Sequence, residues 1–213
     1  MATPAELVQA LSDTTGVPLA TVVDIDRKLV AAGLRTKGGR GLNAARMSTL
    51  DAARLLTAIL ASPQANQSSA AVEGYTSTYP DTHRSSDGLF AGTGFKDLAA
   101  LPARHSFVDA LTAVIESAAT GALRELLDAG NDEHFPRIEV FAFTRATYGR
   151  IRIFGLPNGQ TAHVEYVPAF SGKRAQGKVA RAEGDLEQSR RITERTIFSI
   201  AEILVEESGD GRA

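Results

Sequence analysis

Residues 11–41 read LSDTTGVPLATVVDIDRKLVAAGLRTKGGRG, and this stretch decides the arrangement of the first part of the chain. Leu19, Val22, Ile25, Leu29 and Val30 recur at spacings of three and four. That predicts a helix from about Pro18 to Ala32 with one buried stripe, and Gly33 is placed to stop it. Upstream, Leu7, Val8 and Leu11 repeat in the same way from Pro4 to about Ser12. Pro4 suits a first helical turn and Thr3 its cap. The polar residues Ser12 to Thr15, followed by Gly16, make a natural turn between the two. Downstream, a third helix opens at Ser48, with Asp51 three residues on as a short-armed capping box. Its buried face is Leu50, Ala53, Leu56, Ile59 and Leu60, and Pro63 ends it. Three helices this short close a core only by packing together.

The turn carries more specific information than the helices. Leu11, Gly16, Val17, Thr21 and Val22 fit Leu-x4-Gly-Val-x3-Thr-Val, which resembles the helix-turn-helix of bacterial DNA-binding regulators. There the glycine takes the positive φ of the turn, and the flanking apolar residues fix the crossing of the two helices. The continuation, TVVDIDRKLVAAGLRTKGGRG, is similar to winged-helix regulators, in which the recognition helix ends in an apolar-Gly-Leu step and a β-hairpin wing follows. The resemblance covers about residues 5–46. It implies a wing tip at Gly38, Gly39 and Gly41, with Arg35, Lys37 and Arg40 as its charges. It also implies that Leu19, Ala20, Thr21, Asp24 and Arg27 lie nearest the base edges of a major groove. Asp24 and Asp26 repel phosphate wherever they face it, and Arg27 and Lys28 offset them.

Charge patterning points the same way locally. Between Leu34 and Met47 stand Arg35, Lys37, Arg40 and Arg46 with no acid. Glycine backbone in that segment allows close approach to a duplex, and arginine binds phosphates or enters a narrow minor groove. The chain as a whole gives no such signal, because its net charge is −2 over 213 residues.

The organisation expected is α+β. An N-terminal three-helix, winged-like helix-turn-helix domain occupies residues 1–62. Residues 63–103 read as a flexible linker, because PQANQSSAAVEGYTSTYPDTHRSSDGLFAGTG holds few aliphatics to offset ordering entropy. Phe90 and Phe95 are expected to dock locally on a neighbouring domain. Residues 104–207 read as an α-β-β-β-α module for dimerisation or sensing. It opens with one long helix that Ser106 caps, carrying Phe107, Leu111, Val114, Ala118, Ala122 and Leu126 and stopping at Gly130. The strands are RIEVFAFT (137–144), GRIRIF (149–154) and QTAHVEYV (160–167), an antiparallel meander. Asn158-Gly159 is a strong hairpin signal. Centring the turn there pairs Ile153 with Val164, Arg152 with Glu165 and Ile151 with Tyr166. A basic loop, FSGKRAQGKVARAEGD, follows, and a final helix is expected from about Asp185 to Glu206.

Several chemistries are excluded or unsupported. Without cysteine there is no disulfide, thiolate zinc site or cysteine nucleophile. His83, His105, His134 and His163 share no metal-ligand spacing, and no Gly-x-Ser-x-Gly elbow occurs. No catalytic residue, metal or cofactor is therefore assigned. No apolar run reaches the ~20 residues that span a bilayer, and the first residues do not form a secretory signal. The expectation is a cytoplasmic, non-enzymatic transcription regulator that binds double-stranded DNA, as a homo-oligomer with a dimer favoured. The alternatives are a DNA-packaging adaptor resembling a small terminase subunit, and a protein-interaction scaffold that binds no DNA.

Overall fold

Thr3, Ser48 and Ser106 each start a helix by one device. The hydroxyl accepts the N–H of the residue three positions on, and the acid at that position accepts the N–H of the cap residue. The computed structural model describes residues 2–37, 46–86, 90, 93–129, 137–144, 146–156, 161–168 and 188–205. Helix α1 (Pro4–Thr15) ends at Gly16, which takes φ +71° and donates its N–H to the Ser12 carbonyl. Helix α2 (Leu19–Ala31) has Pro18 at its cap position and is followed by Gly33 at φ +72°. Helix α3 (Thr49–Ala61) buries ten of its thirteen residues. The sequence gives it a single apolar face, yet alanine and threonine on its other sides are small enough for neighbours to close over them.

The reading of 63–103 as a linker is corrected. A 3-10 turn (Ala65–Gln67) leads into α4 (Ser68–Thr76), strand β1 (Thr78–Pro80) and the short α5 (Lys96–Ala99). Val72, Tyr75, Phe90, Phe95 and Leu98 are buried in the same apolar cluster as α1, α2 and α3. The stretch is poor in aliphatics on average, but its few large side chains are spaced to reach the core one at a time. Tyr75 is the clearest case. It is fully buried, its hydroxyl donates toward the Phe143 and Tyr148 carbonyls, and it accepts the Phe143 N–H.

The long helix expected after Ser106 is two helices, α6 (Phe107–Ala119) and α7 (Ala122–Ala129). Gly121, at φ +84°, breaks them apart. Strands β2 (Ile138–Phe143), β3 (Gly149–Ile153) and β4 (Ala162–Pro168) form the expected antiparallel meander. Two edge strands that the sequence did not reveal complete a five-stranded antiparallel sheet in the order β1-β4-β3-β2-β5. Strand β5 (Ser189–Thr193) and helix α8 (Glu194–Val205) replace the single final helix. SRRIT offers only Ile192 to the core, so no alternation marks it as a strand.

The hairpin register also differs. Ile153 pairs with Ala162, Ile151 with Val164 and Arg150 with Glu165. The shift is two residues, so the apolar face stays apolar, but Arg152 meets His163 and Arg150 takes the ion pair with Glu165 at 2.6 Å. Gly155 bends the chain at φ +63°, upstream of Asn158-Gly159, which lie outside the described residues.

The sheet's inner face (Ile138, Val140, Ile151, Ile153, Val164 and Tyr166) is buried in the cluster to which α3 and α6 also contribute. Helix α1 packs on α8, and α3 touches α6, β2 and β5. The first three helices and the later sheet therefore share one core. No helix among the described residues is long and apolar enough to cross a membrane.

Candidate nucleic-acid interface

The stripe Val22, Ile25 and Leu29 anchors α2 inward, and the opposite side is left to solvent. Leu19, Ala20, Thr21, Asp24 and Arg27 are all exposed, with Leu19 at 42% the more notable because it is apolar. The Gly16 turn lets α1 hold the back of this helix. Lys28 is half-buried and its Nζ lies 3.4 Å from Asp24 Oδ1, one turn away. An exposed pair of this kind adds little stability, but it neutralises the one acid on the outward face.

The second acid of this helix points the other way. Asp26 is buried and receives both Nε and Nη2 of Arg35, the latter at 2.7 Å. This bidentate geometry suits a planar guanidinium and carboxylate. Arg35 is only 7% exposed, so its reading as a wing charge for phosphate is corrected: the guanidinium is consumed within the fold. The consequence for the outer face is favourable, because Asp26 contributes no repulsion there.

The segment after α2 is strapped to α3. Arg54 Nη1 donates to the Leu34 carbonyl, and Asp51 accepts from the Thr36 N–H and hydroxyl as well as from the Ser48 cap. Burial pushes the Asp51 pKa up, but these donors outweigh it and hold it below the ordinary carboxylate value. The strap fixes the exit of Lys37, which is exposed. Arg46 is exposed too, but beside Met47, whose N–H donates to the Ala2 carbonyl. It thus stands at the start of α1, the end opposite the Gly16 turn. Arg40 and the glycines Gly38, Gly39 and Gly41 lie outside the described residues, as does the basic loop 170–185.

Of the predicted set, the structure brings Leu19, Ala20, Thr21, Asp24, Arg27 and Lys28 onto one helix, places Lys37 just beyond it, sets Arg46 apart and removes Arg35. Sequence reasoning missed the Asp26–Arg35 latch. The signal existed: Asp26 is four residues after Val22 and three before Leu29, hence on the buried stripe. Among the described residues no group of three potential ligands could hold a metal ion. Comparison of the chain with protein-family models, with curated proteins and with solved structures finds no match.

Proposed function

We propose that the chain is a cytoplasmic, non-enzymatic, sequence-specific regulator that binds double-stranded DNA through α2, acting as a homodimer. The observation that supports this reading most is the division of α2: a buried stripe is locked by the turn and the Asp26–Arg35 latch, while the outward face from Leu19 to Arg27 is uncovered. A helix held this way can enter a major groove with its first turns toward the bases. Arg27, Lys28 and Lys37 remain as phosphate partners, and Arg46 stands away from this face. So few cations per copy give weak binding, and two half-sites multiply it.

The test is selection of bound fragments from genomic DNA, followed by titration of a selected duplex over a range of salt. Binding should weaken with salt, and Lys37→Ala should lower the slope by about 1 without changing the preferred sequence. Thr21→Ala should instead relax the preference. Absence of any selected fragment at low salt would overturn the proposal. The exposed Leu19 supports a second reading, a protein-interaction scaffold. Leu19→Glu would then abolish capture of a protein partner, with no DNA selected by the parent chain.

A further inference from the structure

A cleft of about 470 Å³ opens between the ends of α1 and α3 and the junction of β5 with α8. Thr14, Thr15 and Val17 form one side, Ile59 and Leu60 close the floor, and Arg190, Thr193, Arg195 and Thr196 line the other. Its volume is that of a small-molecule site. Four observations concern its chemistry. Arg190 donates Nη1 to the Ile59 carbonyl, which fixes the head of the side chain and leaves four of its five N–H groups. Arg195 is exposed and has no partner among the described residues. Thr196 is only 4% exposed, lines the cleft, and its hydroxyl has no hydrogen-bond partner among the described residues. The hydroxyl oxygen itself is open to the cleft, where an oxygen of a bound molecule can accept from it.

The fourth observation is the backbone. Thr193 to Thr196 form the opening of the twelve-residue α8, whose first N–H groups have no partner within the helix. The nearby carboxylates are engaged elsewhere. Glu194 accepts the N–H groups of Arg137 and Ile138, and Glu139 takes Arg191, which also lines the cleft, at 2.6 Å. Thr14 and Thr15 donate to carbonyls of their own helix. The donors left over in the cleft all favour an oxyanion.

We infer that this cleft binds a small phosphorylated molecule, its phosphoryl group held by Arg190, Arg195, the Thr196 hydroxyl and the start of α8. The inference does not rest on DNA binding by α2. Because the cleft joins the Gly16 turn to the β5–α8 unit, occupancy ties α1 and α2 to the sheet.

Calorimetric titration of the full chain with pyrophosphate and with adenosine 5′-monophosphate, chloride serving as the matched-ionic-strength control, tests it. The expected result is saturable binding of at least one phosphate probe, accompanied by a rise in melting temperature. Arg195→Gln and Thr196→Val should each weaken that binding about tenfold, losing one charge-assisted or one buried hydrogen bond. Both variants should keep the parent's circular dichroism, and Arg27→Ala should leave phosphate binding unchanged. No saturable binding by the parent chain, or equal binding by the two cleft variants, overturns the inference. Displacement of pyrophosphate by a DNA duplex, lost in Arg195→Gln, also overturns it, because the occupant is then a DNA phosphate.

Discussion

At Gly149 a single hydrogen atom matters. A Cβ at this position would stand 2.6 Å from Phe107 Cδ2 and 3.1 Å from Tyr75 Cε1. Both rings are buried and meet edge to face, their centroids 5.0 Å apart. Neither can swing away, since Phe107 opens α6 and the Tyr75 hydroxyl is held by Phe143 and Tyr148. Gly149→Ala should therefore destabilise the chain by about 1–3 kcal/mol, the usual cost of overpacking, read from the midpoint of urea unfolding. An unchanged midpoint would show that the ring pair can yield. His105 carries a second prediction. Its Nδ1 lies 2.7 Å from the Pro102 carbonyl, which can only accept, so Nδ1 carries the proton and Nε2 accepts from the Tyr166 hydroxyl at 2.9 Å. Burial holds its pKa below 6.5, against the smaller opposing pull of the Pro102 carbonyl. The unfolded chain then binds more protons than the folded one below the unfolded pKa, so stability falls as pH drops from about 6.5 toward the folded value. His105→Gln should flatten this part of the stability profile. An equal slope in parent and variant would assign the acid sensitivity to other groups.

At the scale of elements, the helices with caps were legible and the polar edges were not. Thr3-Pro4, Gly16, Gly33 and Ser48–Asp51 each imply a definite backbone geometry, and each stands where the spacing put it. Strand β5 escaped because an edge strand buries one side chain and leaves its other residues to water. The hairpin slipped by two residues because alternation fixes which face a residue takes but not which partner it meets. At the candidate interface the exposed side of α2 followed from its stripe except at Leu19, which the spacing counted as buried but which stands exposed at the first position of the helix. The fate of Arg35 did not, because a charge count does not show where a cation's partner lies in space. The latch gives a prediction. Arg35→Met leaves the Asp26 carboxylate buried and unpaired, which costs about 3–5 kcal/mol. Adding Asp26→Leu should recover much of that loss. If Arg35→Met melts like the parent, Arg35 is after all a solvent-facing cation and is restored to the phosphate-binding set.

For the whole molecule, the decisive fact is how α3 is surrounded. Helix α2 lies against one part of it, and α4, α6, β2, β5 and α8 occupy the rest. Thr49 donates to Glu116 at 2.8 Å, and Arg190 caps the Ile59 carbonyl from the far edge of the sheet. A peptide ending near residue 62 keeps the α1–α2 packing but exposes most of the apolar surface of α3. Each large apolar side chain returned to water costs about 1.5–3 kcal/mol, and several are lost at once. For Leu55, Leu56, Ile59 and Leu60 together the loss is comparable to the whole margin of about 5–15 kcal/mol by which ordinary domains are stable. Residues 1–62 should therefore show no cooperative thermal transition, and the full chain should melt in a single one, with calorimetric and van't Hoff enthalpies equal. Two separate transitions, the first reproduced by the short peptide, would establish an autonomous N-terminal unit. If the single transition is observed, α2 cannot shift without straining the core it shares with the sheet. A ligand at the β5–α8 junction then has a physical route to the face that α2 presents.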